Sequence, residues 1–477
     1  MGKLLIMIYS FLIIWANAIG QTSFPEINQE IGAGNFTRAR QLIADRISEQ
    51  KMSPKEKYEL QFQSELLDRI RLDFIRDEEY VRDALAKYFP DFTDQQMREW
   101  ERSNQLEMRI IDGQKKYFRH AVPNLFRANA DAKRRKIEID GIHESKLDSF
   151  LQSYLPEIVN VAKMRGKSIV MPVKLRFNYT LTVDANAVPP GEAVRAWLPF
   201  PRSDRERLTD VQLINTSEKN YIISPQNYVH QSLYMEKKSQ KDEPTVFQMS
   251  VSYTGLNEWR DLSQVTITPY DKSSSVYRIY TYEREPHIIF TPEIKALSES
   301  IIGNETDPLL KAKLIYKWIG KNIPWTSALE YSTIPNISMY CANNMRGDCG
   351  IKSLLFITLC RYNGIPAKWQ SGWFLYPVRI NLHDWAEVYF EGVGWVPVDP
   401  DFNDQQIEDK DAGEFFFGGA DAYRLIVNDD FSGDFFPAKI YPRSETVDFQ
   451  RGEVEWKGGN LYFDQWDYHM EVEYPED

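Results

Sequence analysis

The chain of 477 residues has very little cysteine: Cys341, Cys349 and Cys360 are all that it contains, and they lie close together in sequence. An odd number leaves at least one thiol outside any disulfide, and neighbouring cysteines cannot cross-link distant domains. A local Cys341–Cys349 bridge remains open. Cys349 and Cys360 cannot pair if they share one helix, because eleven residues at about 1.5 Å each separate them by roughly three turns.

Net positive charge and long apolar segments are also lacking. A formal net charge of −12 argues against a nucleic-acid partner, since binding would need a basic surface. The apolar run from Leu4 to Trp15 is shorter than the roughly 20 residues of a membrane span. It follows Lys3 and precedes Ala16-Asn17-Ala18, an order typical of a secretory signal.

We therefore predict a signal peptide over residues 1–20, with an uncleaved anchor as the alternative. After its removal we expect no integral membrane span, and we expect the protein to be periplasmic or extracellular. The oligomeric state stays open.

The chain is long enough for about three domains. Residues 21–168 are predicted to form a helical domain, because apolar residues recur there at the three-to-four spacing of one helix face. Ser53-Pro-Lys-Glu56 is typical of a capping box, and Thr93 of a further helix start. This region contains no recognisable catalytic cluster, so we interpret it as a scaffold or interaction domain.

Residues 169–284 change to a period of two, which indicates strands. The predicted strands are Val173–Val183, Val194–Leu198, Val246–Tyr253 and Val276–Thr281, and together they favour a β-sandwich domain. The acidic and aromatic residues 406–477 are predicted to form a β-rich C-terminal segment.

The segment Gly347-Asp-Cys-Gly350 precedes an apolar helix that should end at Gly364. Asp348 is predicted to be its N-cap, which places Cys349 in the first turn. There, unpaired backbone N–H groups and the helix dipole stabilise a thiolate. The alternative is that a cysteine among aliphatic residues belongs to the core. That alternative fits Cys360 well and Cys349 poorly, because glycine, aspartate and lysine surround Cys349.

A thiolate nucleophile also needs a base. His383 is the one of six histidines with a companion signal: His383–Phe390 alternates like a strand, and a glycine-containing turn leads to Trp395–Asp399. A hairpin of this kind places His383 and Asp399 opposite each other at its open end. The carboxylate can then hold the imidazole tautomer while the other ring nitrogen faces the thiol.

These residues resemble the three motifs of the transglutaminase-like superfamily, in order and at compatible spacing: Gly347–Ala367, His383–Tyr389 and Gly394–Pro400. The resemblance is close over residues 285–405, the predicted catalytic core. The preceding β domain, with Trp197-Leu-Pro-Phe-Pro201, is similar to one found in exported bacterial multidomain members. The resemblance implies a papain-like α+β core and a catalytic triad of Cys349, His383 and Asp399.

The resemblance further implies acyl transfer through a thioester, with a protein, peptide or cell-wall peptide as substrate. Peptidase, amidase and transglutaminase activity all remain open. So does a non-catalytic binding or scaffold protein that keeps only the fold. We expect no cofactor. We also expect no metal: Asp399-x-Asp401-x-Asn403 begins like a calcium loop, but Asp404 stands where glycine is needed and Lys410 where the closing acid is needed.

Overall fold

A computed structural model describes residues 24–49, 52–143, 145–403 and 405–475. The predicted signal peptide over residues 1–20 lies outside the described residues. Within the described ranges, we find no helix with the length and hydrophobicity that crossing a bilayer requires.

The first stretch of the chain, as far as it is described, contains seven helices and one hairpin. The elements are α1 Pro25–Ala33, α2 Phe36–Ser48, α3 Pro54–Asp73, α4 Glu78–Ala86, α5 Asp94–Arg102, β1 Met108–Ile111, β2 Gln114–Tyr117, α6 Ala121–Ala128 and α7 Ala130–Asp140. The capping box predicted at Ser53 and the helix start predicted at Thr93 are confirmed, since these residues cap α3 and α5. The β1–β2 hairpin was not predicted. Its Asp112-Gly113 turn has positive φ at both residues, 47° and 79°, as a tight hairpin turn requires.

The second stretch is mainly β structure. Its elements are α8 Lys146–Arg165, β3 Ile169–Val183, β4 Ala193–Pro199, β5 Leu208–Thr216, β6 Tyr221–Ile223, β7 Ser232–Lys238, β8 Thr245–Trp259 and α9 Ser275–Tyr280. Three of the four predicted strands lie inside β3, β4 and β8.

The predicted strand Val276–Thr281 is wrong, because residues 276–280 belong to the helix α9 and Thr281 is its C-cap. Its β-branched and aromatic residues favour a strand. However, the Ser274 side chain accepts a hydrogen bond from the N–H of Tyr277 at 3.2 Å and begins a helix. A local cap therefore outweighs the composition of this short segment.

The remaining elements are α10 Pro292–Ile302, α11 Pro308–Asn322, α12 Ile337–Asn344, α13 Cys349–Tyr362, β9 Ala367–Tyr376, β10 Arg379–Phe390, β11 Gly394–Val398, α14 Lys410–Gly413, β12 Gly419–Ala420, β13 Arg424–Asp429, β14 Glu453–Trp456, β15 Gly459–Leu461 and β16 Trp466–Glu473. The helix predicted from Asp348 to Gly364 is thus α13, and Gly364 has the left-handed φ of 71° that ends it.

Three larger sheets are present among the described residues. One has the strand order β11-β10-β9-β13. A second has the order β12-β8-β3-β16, with β5 also paired to β8, and a third has the order β15-β14-β4-β7-β6. The C-terminal segment contains the strands β12 to β16. Its strands do not form a sheet of their own, because they add to each of these three sheets.

The chain folds into two compact units, each built from segments that are far apart in sequence. Unit 1 comprises Met1–His143, Arg284–Ile289 and Ile323–Ile351; unit 2 comprises Glu144–Glu283, Phe290–Asn322 and Lys352–Asp477. One helix, α13, begins in unit 1 and continues in unit 2. Within unit 2, a continuous hydrophobic core contains side chains from α8 and from all three larger sheets.

Asp73, at the end of α3 in unit 1, is a buried carboxylate. It accepts a hydrogen bond from the N–H of Glu330 at 2.9 Å, and Arg119 lies 3.4 Å away. Burial, and then the neighbouring Glu330 carboxylate, raise the pKa of Asp73 to about 7. The folded protein therefore keeps a proton on this group that the unfolded chain releases.

We expect this proton to make stability depend on pH. The contribution of Asp73 to the free energy of unfolding is fully present below its unfolded pKa of 3.8 and is lost as the pH rises to about 7. The loss can reach about 4 kcal/mol, at roughly 1.4 kcal/mol per pKa unit. Urea unfolding at pH 5 and pH 8 should therefore differ less in Asp73→Asn than in the wild type. The exposed Asp83→Asn serves as the control, and an unchanged pH dependence in Asp73→Asn would contradict the assignment.

Candidate active site

Cys349 is the first residue of α13 and is half-buried. Asp348 caps this helix, because its Oδ1 accepts a hydrogen bond from the N–H of Ile351 at 3.0 Å. The Tyr331 hydroxyl donates to the same carboxylate, at 2.8 and 2.9 Å from its two oxygens. The predicted N-cap is confirmed, and Cys349 lies where the helix dipole favours a thiolate.

The structure does not form the Cys341–Cys349 bridge that the sequence left open, since neither residue is in a disulfide. Cys341 is fully buried in α12. Cys360 is also fully buried, and burial raises the pKa of its thiol well above the usual value. Cys360 is therefore a core residue, as expected, which leaves Cys349 as the accessible thiol.

The backbone of Trp325 runs beside the segment that leads to Cys349. Trp325 and Gly347 form a parallel bridge, in which the N–H of Thr326 donates to the Gly347 carbonyl at 3.0 Å. The Trp325 ring is 40% exposed, and the Arg127 guanidinium lies 4.7 Å from its centre. Trp325 is thus an exposed aromatic residue whose backbone pairs with the segment that leads to Cys349.

The cap predicts a measurable effect on stability. Replacing Asp348 by alanine removes the acceptor for the Ile351 N–H, and we expect a loss of about 1 kcal/mol in the free energy of unfolding. Asparagine caps a helix as well as aspartate does, so Asp348→Asn should lose much less. Urea unfolding of both variants would check this, and equal losses would contradict a capping role.

His383 lies on β10 in unit 2 and is only 1% exposed. Its Nε2 is 2.6 Å from Oδ2 of Asp399, which directly follows β11. Ala386 pairs with Val398, so extending the register by one residue places Asp399 opposite Trp385. His383 and Asp399 are therefore diagonal neighbours on one face of the sheet. The sequence-based prediction places them directly opposite each other. A diagonal pair is still within reach of long side chains.

Asp399 is almost fully buried and has several partners. Its Oδ1 accepts hydrogen bonds from the N–H groups of Asp401 at 3.0 Å and Phe402 at 3.2 Å. Its Oδ2 also lies 2.6 Å from Nη1 of Arg424. Burial alone would raise the pKa of Asp399, but the charges of His383 and Arg424 hold it well below the usual range. An ionised Asp399 fixes the proton on Nε2 of His383, which makes Nδ1 the basic nitrogen.

Aromatic rings and one amide hold the imidazole in place. The rings of Phe402, Phe374 and Trp385 have their centres 4.9, 5.5 and 5.9 Å from that of His383. Gln450 donates to the His383 carbonyl at 2.9 Å and to the Asp384 carboxylate at 2.6 Å. The ring therefore has a defined orientation.

Helix α13 contacts β10 close to His383. The Ser353 hydroxyl lies 3.4 Å from the Asp384 carbonyl, at the limit of a hydrogen bond. Residues four apart share one face of a helix, so Cys349 and Ser353 lie on the same face of α13.

The carboxylates of Asp399 and Asp401, which begin the calcium-loop-like run, pair with cationic side chains. Lys352 donates to Oδ1 of Asp401 at 2.8 Å, and both side chains are nearly buried. Asp399 is paired with His383 and Arg424. Both carboxylates of this run are thus paired with cationic side chains of the protein.

Two contributors to the site were not predicted from the sequence, namely Arg424 and Gln450. Both come from the C-terminal region, which has no motif that marks them. The pairing of β13 with β9 brings in Arg424, and Gln450 is held by its carbonyl, which accepts a hydrogen bond from Nε1 of Trp373 on β9 at 3.0 Å. Both contacts depend on tertiary structure.

Comparison with known proteins identifies the domain around this site. Residues 295–400 match the model of the transglutaminase-like superfamily, and this range includes Cys349, His383 and Asp399. The chain therefore carries a transglutaminase-like domain, and the resemblance seen in the sequence is confirmed over these residues.

Two curated relatives are uncharacterised proteins. The chain is 24% identical over 299 residues to a protein of Haemophilus influenzae, covering 55% of this chain and 81% of the relative. It is 27% identical over 126 residues to the protein YebA of Bacillus subtilis, covering 22% of this chain and 17% of the relative. The chain thus spans only a small part of YebA.

Two solved structures are also similar. One, from Cytophaga hutchinsonii, is described provisionally as a cysteine protease; the TM-score is 0.41 at 14% identity, covering 65% of this chain and 93% of that chain. The other is the periplasmic domain of TgpA from Pseudomonas aeruginosa, with a TM-score of 0.23 at 13% identity, covering 51% of this chain and 91% of that chain.

Proposed function

We propose that the protein is an exported cysteine-dependent acyl-transfer enzyme that acts on amide bonds. In this proposal Cys349 is the nucleophile, His383 the general base and Asp399 the residue that orients the histidine. The observation that carries it is the buried 2.6 Å contact between His383 Nε2 and an ionised Asp399. Few structural roles require a buried imidazole held in one tautomer by an ionised carboxylate.

The chemistry follows from these positions. Nδ1 of His383 takes the proton of the Cys349 thiol, and the thiolate attacks the amide carbonyl. The negative oxygen of the tetrahedral intermediate accepts a hydrogen bond from the Cys349 N–H at the start of α13. His383 then gives its proton to the departing amine, which leaves an acyl-thioester. Water or a second amine resolves the thioester and regenerates the thiol.

The substrate class in this proposal is a protein, a peptide or the peptide part of the cell wall, outside the cytoplasm. The support for export is the order of residues before Ala18, which is typical of a secretory signal. Whether water or an amine is the acceptor separates peptidase or amidase activity from transglutaminase activity.

The test uses purified protein with dimethylcasein and biotinylated cadaverine. New peptide termini detected by mass spectrometry indicate hydrolysis, and biotin incorporation into casein indicates transfer. Cys349→Ala should abolish either product, while Cys360→Ala leaves the nucleophile in place as a matched cysteine control. A protein whose Cys349 reacts no faster than an ordinary thiol, and which gives neither product, would be a binding or scaffold protein instead.

A further inference from the structure

Arg424 is a fully buried arginine that contacts Asp399, the carboxylate beside His383. It lies on β13, beyond the part of the chain that matches the transglutaminase-like model, and it is 1% exposed. Its Nη1 is 2.6 Å from Oδ2 of Asp399, and its Nε donates to Oδ2 of Asp421 at 3.0 Å. Asp399 Oδ2 is the same oxygen that contacts Nε2 of His383. One carboxylate oxygen is therefore shared by a guanidinium and an imidazole.

Aromatic rings surround the Arg424 guanidinium. The Arg424 guanidinium lies 4.7, 4.9 and 5.5 Å from the ring centres of Phe416, Phe402 and Trp385. Removing such a charge from water is costly unless partners of opposite charge compensate it. Arg424 has two such partners, because its guanidinium pairs with the carboxylates of both Asp399 and Asp421.

The other ionisable groups around Arg424 and Asp399 come from several elements. The Tyr376 hydroxyl on β9 donates to Asp421 at 2.7 Å. Arg207, which precedes β5, is close enough to interact electrostatically with Arg424, and it pairs with Glu258 at 3.3 Å. Lys352 on α13 pairs with Asp401. The groups to consider in any pH response are thus Asp399, His383, Asp421, Tyr376, Arg207, Glu258, Lys352 and Asp401.

We propose that Arg424 is a positioning residue of the acyl-transfer site, which keeps Asp399 ionised and limits how strongly Asp399 holds a protonated His383. This inference rests on the proposed function. An unshared buried carboxylate would stabilise the imidazolium strongly and delay the return of its proton to the leaving amine. A cation on the same oxygen opposes the imidazolium charge, so the proton that His383 takes from the thiol passes more readily to the leaving amine.

The proposal predicts opposite shifts for two substitutions. Removing the cation in Arg424→Met leaves Asp399 entirely to His383, so the imidazolium should persist to higher pH. Replacing Asp421 by asparagine leaves Arg424 with Asp399 as its only carboxylate partner among the described residues, which should strengthen that contact and weaken the hold on His383. Arg424→Lys keeps the positive charge and should behave like the wild type.

The experiment measures the rate of iodoacetamide labelling of Cys349 against pH, with the labelled peptide quantified by mass spectrometry. We expect the upper inflection, where the imidazolium loses its proton, to move up by about one pH unit in Arg424→Met and down by a smaller amount in Asp421→Asn. Arg202→Met is the matched control, since the Arg202 side chain is also buried but pairs with Asp204 instead of Asp399 or Asp421. Its profile should coincide with that of the wild type.

An Arg424→Met profile that coincides with the wild type, or that shifts together with Arg424→Lys, would overturn the inference. If Arg424→Met does not fold, Asp421→Asn decides alone: a downward shift supports the inference, and no shift or an upward shift overturns it. Failure of the proposed function gives a different result, because the wild type and His383→Ala would then label at the same rate at every pH.

Discussion

Replacement of His383 by alanine is expected to slow the reaction of Cys349 with iodoacetamide about 100-fold at pH 6.5. An unassisted thiol with a pKa near 8.5 is only about 1% thiolate at this pH, since two pH units separate the two values. A thiolate paired with the His383 imidazolium would be almost fully formed. The ratio of the two labelling rates therefore measures the contribution of the histidine.

His469→Ala is the matched control, because His469 is 72% exposed on β16 and contacts Glu471 at the surface. It should label at the wild-type rate. As the pH rises above 8.5, the His383→Ala rate should approach that of the wild type, since both thiols are then ionised. Equal rates for the wild type and His383→Ala at pH 6.5 would remove the basis for the triad and favour a scaffold role.

Replacement of Trp197 by alanine is expected to lower the free energy of unfolding of unit 2 by about 3 to 5 kcal/mol. Trp197 lies on β4 and is fully buried. Its ring contacts Tyr234 and Phe435, with centres 5.0 and 5.9 Å away, and its Nε1 donates to the Pro437 carbonyl at 2.9 Å. Alanine removes both the packing and the hydrogen bond.

Trp197→Phe separates the two contributions, because it keeps an aromatic ring and loses the N–H donor. We expect it to cost less than alanine, about 1 to 3 kcal/mol, from the unsatisfied Pro437 carbonyl and the smaller ring. Urea unfolding followed by tryptophan fluorescence and by circular dichroism measures both variants. A loss below about 1 kcal/mol in Trp197→Ala would mean that the Trp197 side chain is not part of the cooperative core.

Local sequence rules predicted much of the fold that surrounds the site. The capping residues Ser53, Thr93 and Asp348 act over three positions, and the alternation in Val173–Val183 acts over two, so both are readable without tertiary information. The same reasoning was wrong at Val276–Thr281. There the apolar pattern of a short segment fits either a strand or a helix, and the Ser274 cap decides for a helix.

The sequence by itself determined that Cys349 begins a helix, that His383 lies on one strand of a hairpin and that Asp399 comes at the end of the other strand. Each of these features depends on residues close in sequence: a cap, a period and a glycine-containing turn. Motif spacing also sufficed to recognise the transglutaminase-like domain.

Only the tertiary structure decided that His383 and Asp399 pair diagonally, because register depends on how the strands align, and an error of one residue changes the face of every side chain. Only the tertiary structure brought Arg424 and Gln450 to the histidine and its carboxylate. Both residues arrive through strand pairing and core packing between segments far apart in sequence, and such contacts leave no local pattern in the chain.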